Sequence, residues 1–377
     1  MNRDGPQRGG DRTRAGAKSG NSAQNPDAQA ALREVERLVR ISDVHLAADN
    51  PLAALEYLDE AEAQLIEAGS PAAPLCDVAL RSVDCLRRRG DLEAAQAKVG
   101  EALDLLGPNG DPIYRGKLRS REAAIEYGLG AYEAAREAGR EAYDLLRRSA
   151  EHVEIGFLEL TLGNVHYRRG STAKSRECFE SALFTFRRID HREGIARALN
   201  NLGVILKNGP RWSDARDLLT RALAVSEEAG NYARMASHCS NLGIIYTKLC
   251  DWDLAEQHLS RALAIHKEVG NTRALSKVLI AMGHLHRRRG QRDLAARHYA
   301  EARTICETHS YGRELALCFE SDGDLLADGG DFAAARRALG EGLELAQAVA
   351  PDGDVVPELK RRFGAIALAE GRFEEAR

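Results

Sequence analysis

Hydrophobic positions recur along most of the chain at steps of three and four residues, which is the spacing of one helix face. Between residues 195 and 206 they are Ile195, Leu199, Leu202 and Leu206. The run stops at Asn208-Gly209-Pro210, where proline lacks an amide hydrogen and glycine accepts left-handed backbone angles. A second helical face extends from Trp212 to Val225 and ends before Gly230. The pattern therefore predicts two antiparallel helices joined by a turn.

This helix pair repeats with a period of 40 residues. The first helix carries a glycine at Gly163, Gly203, Gly243, Gly283 and Gly323. Small residues follow 12 and 19 positions after each glycine, in the second helix. The alanines at 54, 95 and 135 extend the series upstream, which gives eight full units and the start of a ninth over residues 28–377. A fixed period of this length indicates stacked units without strands, an all-α solenoid.

The small residues have a packing reason, because two helices approach closely only where side chains are small. We expect Gly203 to face Ala215 within one unit and Ala222 to leave room for the next unit. Larger residues such as Leu219, Leu259 and Tyr299 are expected to fill the remaining space. A lone helix pair cannot bury its apolar face, so neighbouring units must stack to exclude water.

Leu202-Gly203, Ala215, Leu219 and Ala222 resemble the tetratricopeptide repeat family, in a variant with longer helices than the standard unit. The resemblance covers about nine tenths of the chain. Tyr246 keeps a family aromatic, whereas Gly-Asn turns mostly replace the closing proline. The resemblance implies a right-handed superhelix of stacked helix pairs. Its concave face would be lined by first helices and would bind a protein or an extended peptide.

Composition narrows the possible functions. The net charge of −4 gives no overall basic field, so direct binding to nucleic acid or to anionic membranes is not expected. No apolar run is long enough to span a bilayer. The cysteines lack Cys-x-x-Cys spacing and are expected to be small buried residues in a reducing compartment, which predicts a cytoplasmic location. They are Cys76, Cys85, Cys178, Cys239, Cys250, Cys306 and Cys318.

The two ends of the chain differ from the repeats. Residues 1–27 have almost no large apolar side chain and predict a disordered tail, with Asp27 as a cap for the first helix. At the other end the ninth unit stops at Arg377, soon after Phe373 and Ala376, with no polar capping helix. We expect the chain to continue in a longer protein, with a frayed natural end as the alternative. An uncapped end would also favour self-association.

Motifs for chemistry are weak. Gly110 and Gly116-Lys117 have the wrong spacing for a phosphate loop, and no strand precedes them. Ser171 and Lys174 lack the partners of a serine–lysine nucleophile, and Ser171 is expected to cap a second helix. His284 and His286 point to different helix faces. The sequence therefore predicts no catalytic residue, no metal and no cofactor, and no enzymatic activity.

Polar residues on the first helices of units five to seven predict a partner-binding groove. Basic side chains dominate there, which suits an acidic partner, and the asparagine amides are suited to peptide backbone. Unit eight reverses the sign with Glu320, Asp324 and Asp328. The alternative for arginines at helix ends is interaction with the macrodipole. The predicted groove residues are Arg197, Asn200, Lys207, Asn208, Lys248, Lys277, His284, Arg287 and Arg288.

The family's carboxylate clamp is only half present. Asn164 and Asn201 occupy its asparagine positions, but Leu160, Ser237 and Asn241 stand where its cations belong. The first helices with Asn200-Asn201-Leu202-Gly203 resemble arrays fused to bacterial ATPase-type or helix-turn-helix regulators. We therefore expect a protein-binding, regulatory arm of a larger signalling or transcription protein. The alternatives are a free-standing assembly scaffold, or the arm of an enzyme whose catalytic domain follows residue 377.

Overall fold

The computed structural model describes residues 26–47, 50–207, 209–351 and 353–372. Residues 1–25 of the predicted tail, Asn208, and Phe373 and Ala376 of the ninth unit lie outside the described residues. The first helix begins at Pro26, and proline is favoured at the start of a helix because its missing amide would have no partner there. Asp27 lies in the first turn of this helix, and its side chain, the expected cap, lies outside what the structure describes.

The described residues form seventeen helices joined by short turns, and they contain no strand. The first helices of the units are α1 (Pro26–Ala47), α3 (Ala72–Arg89), α5 (Pro112–Leu129), α7 (His152–Arg168), α9 (Arg192–Lys207), α11 (Tyr232–Lys248), α13 (Thr272–Arg288), α15 (Gly312–Asp328) and α17 (Val355–Ala369). The second helices are α2 (Pro51–Glu67), α4 (Leu92–Leu106), α6 (Tyr132–Leu146), α8 (Thr172–Arg188), α10 (Trp212–Glu228), α12 (Trp252–Glu268), α14 (Arg292–Thr308) and α16 (Phe332–Val349).

The helices pack in consecutive antiparallel pairs, as predicted for a solenoid. From α3 onward each odd-numbered helix also contacts the next odd-numbered helix, whereas no two even-numbered helices in the described chain make comparable contacts. The odd-numbered helices therefore form the closely spaced inner layer, and the even-numbered helices spread apart on the outside. This difference in spacing curves the array and places the first helices on its concave face.

The repeated glycines mark the closest approach within each unit. A Cβ atom at Gly243 would lie 2.5 Å from Cγ of Leu259 and 3.2 Å from the carbonyl oxygen of Ala255. Gly283 meets Tyr299 in the same way, and both large side chains are fully buried. The prediction that small residues let the two helices touch is confirmed. The side chain covering each glycine comes from the position sixteen residues later, not only from the alanine at twelve.

The turns end helices with left-handed residues, as expected at the C′ position. Gly270 has φ +67, but Cys250 adopts φ +60 at an equivalent kind of turn and is exposed. Cys178 is half-buried, and the other five cysteines are buried, so the expected burial was wrong for Cys250. Ser171 does occupy the N-cap position of α8, but its hydroxyl makes no capping hydrogen bond.

A contact between distant units closes the curve. Asp354, just before α17, accepts hydrogen bonds from Nη1 of Arg168 at 3.0 Å and from Nη2 of Arg313 at 2.9 Å. Arg168 lies 186 residues away, at the end of α7. Ala350 packs beside Tyr132 in the same region. Burial alone would raise the pKa of Asp354, but the two guanidinium groups lower it. We call this contact the clasp.

Candidate functional site

In the described part of the chain, cavities open on the concave side, and every residue that lines three of them belongs to an odd-numbered helix. One of about 370 Å³ extends over α1 to α11, and the other two, of about 320 and 440 Å³, extend over α9 to α17. The latter two share Ile244, Ala281 and His284, so they form one continuous groove. We call the first the arginine cavity and the second the lysine groove.

Two lysines at the start of the lysine groove have no carboxylate partner among the described residues. Nζ of Lys207 donates to Oδ1 of Asn241 at 3.0 Å, and Nζ of Lys248 donates to the carbonyl oxygen of Lys207 at 2.7 Å. Burial, assisted by Lys248, lowers the pKa of Lys207 to about 8. Arg288 is exposed on the rim of the same groove. These cations are therefore open to an anion.

Two other predicted cations are neutralised within the molecule. Lys277 reaches Oε1 of Glu314 at 3.1 Å, and this carboxylate is 1% exposed. Arg287 donates from Nη1 to Asp324 at 2.8 Å and from Nε to Asp328 at 2.6 Å. The reversal of sign in unit eight therefore neutralises the basic residues of unit seven instead of forming a separate acidic surface.

The asparagines form a ladder across units four to six. Oδ1 of Asn200 accepts from Nδ2 of Asn241 at 2.9 Å and lies 3.0 Å from Nδ1 of His238. Asn201 donates to Asn164 at 3.4 Å. Burial, assisted by Arg234, lowers the pKa of His238 to about 4, so it is neutral at pH 7. Asn200 therefore holds neighbouring helices in place, and its carbonyl oxygen is already occupied.

His284 lies at the centre of the lysine groove. Its Nδ1 is 2.9 Å from the hydroxyl of Tyr299, a fully buried side chain that covers Gly283. Burial, assisted by nearby arginines, lowers the pKa of His284 to about 4, so the ring is neutral and polar at pH 7. Glu320 lines the same groove, where burial raises its pKa to about 7. The groove therefore carries a carboxyl group that titrates near neutral pH.

Arg197 does not lie in the lysine groove. It lines the arginine cavity, where its guanidinium is 4.8 Å from the ring centre of Phe157. Its nearest carboxylate oxygen, on Glu193, is 3.9 Å away. The structure thus brings Lys207, Lys248, Lys277, His284, Arg287 and Arg288 together, and it places Arg197 in a separate cavity.

Sequence reasoning missed several charged residues of the concave face. These are Asp84, Arg121, Glu193, Arg234 and Glu314. One signal identifies most of them: inner helices lie side by side with an offset of one unit, so side chains 37 or 41 residues apart meet. Arg121 with Asp84 and Lys277 with Glu314 are 37 apart, and Arg234 with Glu193 is 41 apart. This is the counterpart between units of the i,i+4 pair within a helix.

The remaining predictions from the sequence concern metal binding, the histidines and membrane spans. Within the described residues, no group of three or more histidine, cysteine or acidic side chains has the arrangement of a metal site. His286 stacks on His298 with ring centres 5.2 Å apart, and Tyr246 stacks on His258 one repeat earlier. These histidines therefore pack between the two helices of their units. No described helix combines the length and the apolar composition needed to cross a membrane.

The geometry defines a solenoid of paired helices with a concave groove, and comparison with known proteins agrees with this class. Residues 154–228 and 232–308 match the model of the tetratricopeptide repeat family. These two segments therefore carry tetratricopeptide repeats, where the repeat pattern predicts them. No curated protein sequence matches the chain.

Several solved structures share the fold. A Rap protein complexed with Competence and Sporulation Factor has a TM-score of 0.63 and 16% identity, covering 94% of this chain and 100% of that one. The apo form of the quorum sensor NprR from B. thuringiensis has a TM-score of 0.62 and 13% identity, covering 93% and 96%. A signal transduction ATPase with a tetratricopeptide repeat sensor from Pyrococcus horikoshii has a TM-score of 0.56 and 13% identity, covering 94% and 52%.

Proposed function

We propose that this chain is a protein-interaction module whose lysine groove holds an extended, acidic segment of a partner. The observation that carries this proposal is the pair formed by Lys207 and Lys248. Both ammonium groups lie on the concave wall without a carboxylate partner among the described residues. Each donates one hydrogen bond to a neutral acceptor. An ammonium group has three donors, so each lysine keeps others for a ligand.

The neighbouring groups suit the same kind of ligand. Neutral His284 and the amide of Asn241 supply uncharged polar contacts, and Ile244 and Ala281 supply an apolar floor. Exposed charges are individually worth little, but several in one concavity add up and speed encounter with an opposite charge. Lys277 and Arg287 contribute less because carboxylates of the next unit already neutralise them.

We further propose that the module is the sensing or regulatory arm of a bacterial signalling protein. Support comes from the names of proteins with the same fold: a Rap protein bound to a signalling factor, a quorum sensor, and a signal transduction ATPase with a repeat sensor. The sequence similarity is low, so these proteins supply the fold and a class of function, not a ligand. A free-standing scaffold remains the alternative and would use the same groove.

Selection from a library of random displayed peptides tests the groove. Peptides that bind the wild type should be enriched in Asp and Glu, and their affinity should fall as salt rises. The double variant Lys207→Gln with Lys248→Gln should lose most of this binding. Lys267→Gln on the outer helix α12 is the matched control and should bind as the wild type does. Peptides without acidic enrichment, or equal binding by the double variant, would place the interaction surface elsewhere.

A further inference from the structure

The arginine cavity gathers more positive than negative charge. Its walls come from the first helices of six successive units, so the curvature of the array brings together residues that are far apart in sequence. The arginines at this cavity exceed by two the carboxylates that contact them. The arginines are Arg87, Arg88, Arg121, Arg197 and Arg234, and the carboxylates are Asp84, Glu154 and Glu193.

The carboxylates are shared unevenly. Arg121 contacts both Asp84, at 2.9 Å, and Glu154, which also accepts a hydrogen bond from Ser120. Asp84 is shared with Arg87 at 3.2 Å. Arg121 therefore contacts two carboxylates, whereas Arg87 contacts one, which it shares with Arg121.

The other side of the cavity is similar. Glu193 lies 3.4 Å from Arg234 and 3.9 Å from Arg197, so one carboxylate serves two guanidinium groups at long range. Burial, together with the like charges of Arg234 and Arg87, lowers the pKa of Arg197 to about 9. The ring of Phe157 lies against its guanidinium and fixes its position.

Donor groups in the cavity also remain without acceptors. Nε of Arg87 is shielded from solvent and has no acceptor among the described residues. A guanidinium is planar and presents parallel N–H groups that match the oxygens of a carboxylate or phosphate. A bound oxyanion would therefore satisfy free donors and relieve the repulsion between like charges at once.

We propose that the arginine cavity is an oxyanion-binding subsite, in which Arg87, Arg197 and Arg234 hold a carboxylate or phosphate group of a bound molecule. The fixed arginines select the planar or tetrahedral oxyanion over other polar groups. The subsite is separate from the lysine groove and goes beyond the function proposed above, because neither requires the other.

Calorimetric titration with inorganic phosphate, and separately with citrate as the carboxylate probe, tests the subsite on the full chain. The wild type should bind one or both probes. Arg197→Gln should weaken that binding by about tenfold or more, and Arg197→Lys should restore only part of it. Arg221→Gln on the outer helix α10 should bind as the wild type does. Tighter binding of phosphate or of citrate identifies which oxyanion the cavity prefers.

Thermal melting in anion-free buffer separates a binding role from a structural one. Arg197→Gln should melt at the same temperature as the wild type or higher, because it removes a repulsion. The proposal is overturned if the wild type binds neither probe, or if Arg197→Gln binds both as tightly as the wild type. A loss caused by Lys207→Gln instead would move anion binding to the lysine groove and would equally refute an arginine subsite.

Discussion

The concave face of units seven to nine and that of the earlier units both carry several cations, but these cations have different partners in the neighbouring unit. In units seven and eight three inner-face cations meet a carboxylate of the next unit: Lys277 meets Glu314, Arg287 meets Asp324, and Arg313 meets Asp354. In the earlier units the position 37 residues after Arg197 is another arginine, Arg234. The two halves therefore differ in which charges stand one unit apart, and not in how many cations they have.

This difference is the basis of the binding surfaces proposed above. A cation whose neighbour in the next unit is a carboxylate is already satisfied and mainly stabilises stacking. A cation whose neighbour is neutral or also cationic lacks that counter-charge, and an anionic ligand could supply it. Lys207 and Lys248, which are 41 residues apart, belong to the second kind, as does Arg197. The net charge of the whole chain does not reveal this distinction.

The largest effect is expected where a buried carboxylate serves several cations. Glu314→Gln should lower the free energy of unfolding by about 2–3 kcal/mol, because it leaves Arg273 and Lys277 without their counter-charge. Arg197→Gln should change it by less than about 1 kcal/mol, since no carboxylate depends on that cation alone. Urea titration measures both variants. Equal losses would remove the distinction between the two halves.

The clasp joins the two halves, and its loss should have the next largest effect. Asp354→Asn should cost about 1–2 kcal/mol and increase the radius of gyration, because Arg168 and Arg313 lose their shared acceptor. Small-angle scattering and melting measure the two changes. Asp293→Asn, at an exposed position on α14, is the control. An unchanged radius would show that packing around Tyr132 holds the curve without the carboxylate.

The pH dependence of the clasp follows from the same groups. The pKa of Asp354 is lower in the folded chain than in the unfolded chain. Its contribution is therefore present above the unfolded pKa of about 4 and is lost as the pH falls through the lower folded value. The variant Asp354→Asn should not show this loss of stability at low pH. A wild type that expands well above that pH would show that another group controls the contact.

Binding to the lysine groove should show a smaller dependence on pH. Glu320 becomes charged as the pH rises through about 7, and Lys207 loses its charge through about 8. Both changes disfavour an anion, so affinity for an acidic peptide should fall by about three- to tenfold between the two ends of that range. Lys207→Arg should remove the fall in affinity near pH 8, and the fall caused by Glu320 near pH 7 should remain. Affinity that rises with pH would contradict this assignment.

The smallest effect is expected from introducing the charge spacing of the later units into an earlier unit. Arg234→Glu places a carboxylate 37 residues after Arg197, the spacing at which units seven to nine pair their charges. It should stabilise the fold by less than about 1 kcal/mol, because the residues are partly exposed. It should also weaken phosphate binding. A destabilised variant would show that the spacing alone does not create a pair in this half.

Local patterns along the chain are sufficient to predict the helices and their pairing. The three- and four-residue spacing gives each helix, and the turn residues end it, because both depend on neighbours within a few positions. The 40-residue glycines also predicted the contact within each unit, since a fixed period repeats one local packing arrangement. The structure adds that Leu259 covers Gly243 and that Tyr299 covers Gly283. These features need no knowledge of how unit follows unit in space.

Which side chains are available on the concave face depends on how the units stack in three dimensions. The rotation between successive units is small, but it accumulates over the array. The accumulated curve brings Arg87 toward Arg197 and joins Arg168 to Asp354 across 186 residues. It also decides that Arg287 is neutralised and that Lys248 is not. Such contacts depend on the sum of many inter-unit angles and on which side chains meet one unit away, and neither quantity can be derived from the spacing within one helix pair.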